Sequence, residues 1–175
     1  MRLNNLLVVA GSGRNSGKTT FACRIIEQFS HLGITSIKIS PHFHEPSSGL
    51  IHVSGKPGFE IYEETNRNTL KDSSRMLRSG AAKVYYIQTR EDNLNEAFSE
   101  VYMNLAVDKP VICESPSLRN YIEPGAFIIM ISDKVNKYKN IKHLQGLPHV
   151  TFNLEELEAI DYFPIGFEEG TWFNK

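Results

Sequence analysis

The sequence predicts a three-layer α/β fold: a mostly parallel sheet with helices on both faces. Three observations predict it. Leu6, Leu7, Val8, Val9 and Ala10 form an unbroken apolar, β-prone run, as expected of a strand covered on both sides. Phe21, Ala22, Ile25, Ile26, Phe29 and Leu32 then recur at helical spacing, and Gly33 stands where a left-handed cap would end that helix. A second apolar run occupies residues 34–39, and strand, helix and strand in succession imply a right-handed crossover between parallel strands.

The remaining elements follow in order. Residues 42–69 are rich in Pro, Gly and Ser and read as an insertion. Leu50 to Val53 and Phe59 to Tyr62 would form a hairpin around Gly55, Lys56, Pro57 and Gly58. Thr69 is placed to cap a helix running to about Ser79, with Gly80 as its stop, before a strand over residues 83–87. Leu94, Ala97, Phe98, Val101, Tyr102 and Leu105 give the clearest amphipathic helix in the chain. Strands over residues 110–114 and 126–131 come next, then a weak strand near residues 149–152 and a short helix from Leu154.

With 175 residues and 41% hydrophobic content, the chain fits a single domain over residues 1–175. Nineteen basic residues against 20 acidic ones give a net charge of −1, so no global field recruits nucleic acid or an anionic membrane. Any bound anion must be held locally. Cys23 and Cys113 lie in apolar segments and read as buried thiols of a reducing compartment, which points to the cytoplasm. The apolar run at residues 6–10 is too short for a signal segment or a membrane span.

The chemistry concentrates in residues 11–20, GSGRNSGKTT, between the first strand and the first helix. Such a loop grips polyphosphate because its N–H groups point inward and the helix N-terminus adds partial positive charge. Gly13, Arg14, Asn15, Ser16, Gly17, Lys18, Thr19 and Thr20 are the expected nucleotide contacts. Lys18 would neutralise β- and γ-phosphate charge, and the Thr19 hydroxyl would ligate Mg²⁺. The strict motif GxxxxGK[ST] wants glycine at position 12, where Ser12 stands; Gly11 comes one residue earlier, which makes the loop one residue longer.

Other residues carry two readings each. Glu114 ends the run Val111, Ile112, Cys113, where open α/β sheets place a Mg²⁺-linked acid; the plain alternative is an acid at a strand exit. Lys38, near the end of the second strand, contacts either phosphate or an acidic substrate, or is a solvated lysine. Asp72 serves a metal or switch, or complements a helix dipole in its first turn. His42, His44 and His52 lack metal-ligand spacing and read as loop surface. Lys134, Lys137, Lys139 and Lys142, around Tyr138, read as a solvated face, while Ser132, Asp133 and Lys134 are weak base-contact candidates.

The phosphate loop GSGRNSGKTT, the strand end Ile37, Lys38, Ile39 and the segment LKDSSRMLRSGA together resemble MobB, the molybdopterin-guanine dinucleotide biosynthesis protein B family, over roughly residues 5–132. More broadly the chain looks like the CobQ/CobB/MinD/ParA class of P-loop proteins, and its Gly-x5-Gly-Lys-Thr spacing is similar to that of dethiobiotin synthetase. The signature lysine of ParA-like members is replaced here by Gly13, followed by Arg14. The resemblance implies a P-loop NTPase-type fold, GTP or ATP with Mg²⁺, a metal-linked role for Asp72 beside Thr19 and Glu114, a MobA-like transferase partner and a homodimer. It implies an accessory factor with weak NTPase activity at most. The alternative is an ATP-dependent small-molecule kinase or ligase.

Overall fold

The computed structural model describes residues 1–135 and 141–175. β1 (Arg2–Gly11) is followed by the phosphate loop and α1 (Lys18–Gln28). A single 3-10 turn, Ser30–Leu32, closes the helix at Gly33, which adopts the left-handed conformation with φ 73°. β2 (Thr35–Ser40), β3 (Leu50–Lys56) and β4 (Phe59–Glu64) follow, then α2 (Asp72–Arg78) and β5 (Lys83–Thr89). α3 (Leu94–Tyr102), β6 (Val111–Glu114), β7 (Glu123–Ile131), α4 (Lys142–Gln145), β8 (Val150–Asn153), β9 (Ile165–Glu168) and β10 (Thr171–Asn174) complete the chain.

Eight strands form one sheet in the order β3-β4-β5-β2-β6-β1-β7-β8. Every pairing from β5 to β8 is parallel, whereas β4 joins β5 antiparallel and β3 joins β4 antiparallel. Alternation along β1 explains the three layers. Leu6, Val8 and Ala10 face the layer containing Ala97, Phe98 and Val101 of α3, while Leu7 and Val9 face Phe21, Ile25 and Ile26 of α1 and Met76 of α2. Helices therefore cover both faces, as the sequence predicts.

Several boundaries differ from the sequence reading, β5 running on to Thr89 and β7 beginning at Glu123 among them. β1 is twice as long as its apolar run because Arg2 and Leu3 continue pairing with β7. The 42–69 insertion does contain a hairpin, but β4 is built into the main sheet edge, and the turn narrows to Pro57 and Gly58 with φ 104° at Gly58. Thr69 does not cap α2: its hydroxyl accepts from Lys71 N at 3.2 Å in a local turn, and the helix begins at Asp72. The segment from Leu154 is a 3-10 helix, Leu154–Ala159, opened by Asn153 Oδ1 accepting from Glu155 N at 3.1 Å.

A terminal hairpin of β9 and β10 has no counterpart in the sequence reading. Glu169 and Gly170 both take positive φ, 48° and 71°, which is the turn that matches the twist of two short antiparallel strands. The hairpin delivers Trp172 into the α1 layer. Its ring meets Phe29 edge-on at 5.2 Å and Phe167 at 5.0 Å, and Nε1 donates to the Val111 carbonyl at 3.2 Å. Trp172 is fully buried, so replacing it with alanine leaves a cavity and removes the Nε1 donor from the Val111 carbonyl. Trp172→Ala is expected to cost about 3–5 kcal/mol in urea unfolding. A loss below about 1 kcal/mol would show that the hairpin is not part of the core.

Candidate functional site

The site lies at the carboxyl ends of β1, β2 and β6, where open parallel sheets expose their ligand crevices. Ser12 N donates to Met130 O at 2.9 Å, prolonging the β1–β7 ladder by one residue before the chain turns. The turn uses two left-handed residues, Asn15 with φ 65° and Gly17 with φ 88°. Ser16, fully buried, donates its hydroxyl to Gly13 O at 3.0 Å, and Lys18 Nζ donates to the same carbonyl at 2.6 Å. The loop thus closes on its own centre.

This closure explains the unusual spacing. A Cβ at position 11 would lie 2.2 Å from Ser16 Oγ and 2.8 Å from Lys18 Cγ, so glycine is required there and Ser12 is free to carry a side chain. A Cβ at Gly17 would meet Leu154 Cδ1 at 2.7 Å. Leu154 is held by the turn after β8, whose Leu157 and Ile160 carbonyls accept from the Arg24 guanidinium of α1. Gly17 precedes α1 without a side-chain cap, leaving the first-turn N–H groups and the positive end of the helix dipole facing the crevice.

Register brings the charged residues together. β6 lies between β1 and β2, and Glu114 is paired in register with Val9 on one side and Lys38 on the other. All three side chains point towards the α1 and α2 layer. Glu114, 2% exposed, accepts a hydrogen bond from Thr19 Oγ1 at 2.7 Å on one oxygen and the Lys38 ammonium on the other. Lys38 Nζ also reaches Asp72 Oδ2 at 3.0 Å, at the first residue of α2. Burial opposes the charge on Lys38, but the adjacent Glu114 and Asp72 carboxylates outweigh it and hold its pKa above the usual value. Burial likewise opposes ionisation of Asp72, and the Lys38 charge reverses that, holding the carboxyl below its ordinary value.

Thr19, Lys38, Asp72 and Glu114, singled out separately in the sequence, are therefore one hydrogen-bonded cluster. With Arg14, Asn15, Gly17, Lys18 and Thr20 they line a cleft of about 440 Å³. Arg75 and Leu154 complete the lining and were missed by the sequence reading. The Arg75 guanidinium lies 3.7 Å from Asp72 and donates to Thr20 Oγ1 at 3.3 Å. An arginine three residues after Asp72 looks in sequence like an ordinary helix ion pair, which hides this role.

The oxygen donors of Thr19, Asp72 and Glu114 suit a hard cation such as Mg²⁺, which typically takes one or two carboxylates and completes its shell with phosphate and water. In this structure the Lys38 ammonium bridges both carboxylates and offsets one of their two charges, so a cation held there would share these oxygens with Lys38. Among the described residues no group of three His, Cys, Asp or Glu side chains is disposed to hold a metal. His52 pairs with Glu60 at 2.8 Å on the exposed edge strand, away from the cleft. Ser132, Asp133 and Lys134 are not in the cleft lining; Ser132 Oγ donates to Glu155 at 2.6 Å and accepts from Lys134 N at 3.1 Å. Lys137, Tyr138 and Lys139 lie outside the described residues. No described helix is long and apolar enough to cross a membrane.

The fold is similar to that of LpxK from Aquifex aeolicus, solved as the "apo" form in complex with ATP, with a TM-score of 0.50 and 13% identity. The likeness covers 93% of this chain and 52% of that one, so this chain spans about half the length of LpxK. At this identity it shows the P-loop NTPase-type fold alone. No protein-family model matches the sequence, and no curated protein matches it.

Removing Lys38 tests the cluster, because it leaves the Glu114 carboxylate buried without its counter-charge. Lys38→Met is expected to destabilise the fold by about 3–5 kcal/mol at neutral pH, with Lys38→Met/Glu114→Gln recovering most of the loss. Additive losses in the two substitutions, measured by urea denaturation, would show that the pair is not coupled.

Proposed function

We propose that this protein binds a purine nucleoside triphosphate, ATP or GTP, with Mg²⁺, on the loop of residues 11–20. The observation that carries the reading is the Thr19 to Glu114 hydrogen bond of 2.7 Å at the start of α1, directly beside Lys18 and the uncapped helix N-terminus. Backbone N–H groups from Gly13 to Thr20 and the Lys18 ammonium would hold the β- and γ-phosphates. Thr19, Asp72 and Glu114 would hold Mg²⁺, which when bound supplies charge neutralisation between phosphate oxygens. Lys38 and Arg75, anchored by the same carboxylates, bring further positive charge to the phosphate end of the cleft. The ATP in the LpxK structure supports the choice of ligand class.

Beyond binding, the motif order shared with MobB supports an accessory role in molybdopterin guanine dinucleotide formation, beside a MobA-like transferase and as a homodimer. No side chain in the cleft lining is free to act as a water-activating base: Glu114 and Asp72 are both committed to Lys38. That pairing speaks for slow hydrolysis in the accessory reading. The competing reading, an ATP-dependent kinase or ligase, is favoured by a second cavity that adjoins the loop. Nucleoside diphosphate release stimulated by a small metabolite, and not by a transferase partner, would decide for the enzyme.

Lys18→Ala is expected to weaken Mg-nucleotide binding by about 2–3 kcal/mol, roughly 30- to 150-fold by calorimetry, with the unfolding midpoint retained. Unchanged affinity for both ATP and GTP would remove the loop from the binding site.

A further inference from the structure

A second cavity, of about 510 Å³, opens beside the phosphate loop towards the α3 face. It shares Arg14, Lys18, Lys38 and Glu114 with the first cleft, so the two spaces meet at those four side chains. Its outer wall is the end of β2 and the segment that follows, which contribute Ser40, His42 and His44. That segment is anchored. Gln88, 2% exposed on β5, donates Nε2 to His44 O at 3.0 Å and accepts from His44 N at 2.9 Å, while Ser40 Oγ fixes His42 N at 3.2 Å. The two imidazole rings stand 6.1 Å apart on this braced backbone.

The charge of the cavity decides what it takes. Glu114 is already paired with Lys38 and Thr19, which leaves the donors of Arg14, His42 and His44 set against the single further acid Glu91. The guanidinium and imidazole groups that border this space are exposed donors of the kind that hold a carboxylate or a phosphate ester. The volume falls within the range of small-molecule sites, about 300–1,000 Å³. We infer that this cavity is a second binding site, for a small molecule bearing a carboxylate or phosphate group, filled at the same time as the nucleotide cleft. Simultaneous occupancy rests on the nucleotide reading. The histidines, set aside in the sequence because they lack metal spacing, become recognition residues of this second site.

The test is a thermal-shift titration of the full chain saturated with Mg–AMP-PNP, using succinate in one arm, glycerol 3-phosphate in the other, and sodium chloride at matched ionic strength as control. At least one arm is expected to raise the melting temperature saturably. His42→Gln/His44→Gln is expected to weaken that response by about tenfold or more with the Mg–AMP-PNP affinity unchanged. Absence of a saturable shift in both arms, or an equal shift in the double variant, would overturn the second site. Should Mg–AMP-PNP itself fail to bind, the same titration on the nucleotide-free protein separates the two ideas. A histidine-dependent shift there keeps the anion site and discards the nucleotide reading, and its absence discards the site.

Discussion

Lys38 and Glu114 meet because β6 is inserted between β1 and β2, and much of the local structure is arranged around keeping that pair intact. A carboxylate as buried as Glu114 is costly unless a charge and hydrogen bonds compensate it. Lys38 supplies the charge and Thr19 the hydrogen bond, so one oxygen of Glu114 is tied to the sheet and the other to α1. Lys38 carries the constraint further, to Asp72 at the start of α2. Two strands and two helices are thereby fixed to one another at the point where the phosphate loop enters α1.

The loop depends on the same arrangement. Its left-handed residues, Asn15 and Gly17, are held by contacts that a longer side chain at Gly11 or Gly17 would break. Leu154 packs against Gly17 at the start of a turn after β8 whose carbonyls Arg24 of α1 holds. The aromatic group of Phe21, Phe152 and Phe163, with ring separations of 4.9 to 5.5 Å, fills the space beneath that turn. A chemical feature encoded in ten consecutive residues thus relies on packing from the last quarter of the chain.

This division explains what could be read beforehand. The parallel sheet, its two helical faces and the loop were legible because each follows from local pattern: the run Leu6 to Ala10, the helical spacing of Phe21 to Phe29, the tripeptide Gly17, Lys18, Thr19. Glu114 and Lys38 were legible as strand-end candidates, although their pairing depends on a strand order that no local signal carries. Asp72 was ambiguous because an acid in a first helical turn has a sufficient electrostatic reason to be there. Arg75 and Leu154 left no signal, since their roles arise from contacts with Thr20 and Gly17, more than fifty and more than a hundred residues away. The terminal hairpin was hidden for a different reason: four-residue strands around Glu169 and Gly170 are too short to show a period.

Charge placement connects these points. The whole chain carries a net charge of −1, so long-range attraction contributes little to anion capture. Within the first cleft, however, Arg14, Lys18, Lys38 and Arg75 face only Asp72 and Glu114, an excess of two positive charges in a partly desolvated space. Both acids are engaged with Lys38, which keeps them from repelling an incoming anion at full strength. The excess is therefore set by which side chains the strand order brings together, and not by composition. Arg14, Lys18 and Lys38 also border the second cavity, so a negative group bound in either space draws on the same three cations. Two anions bound in the two spaces would share that charge.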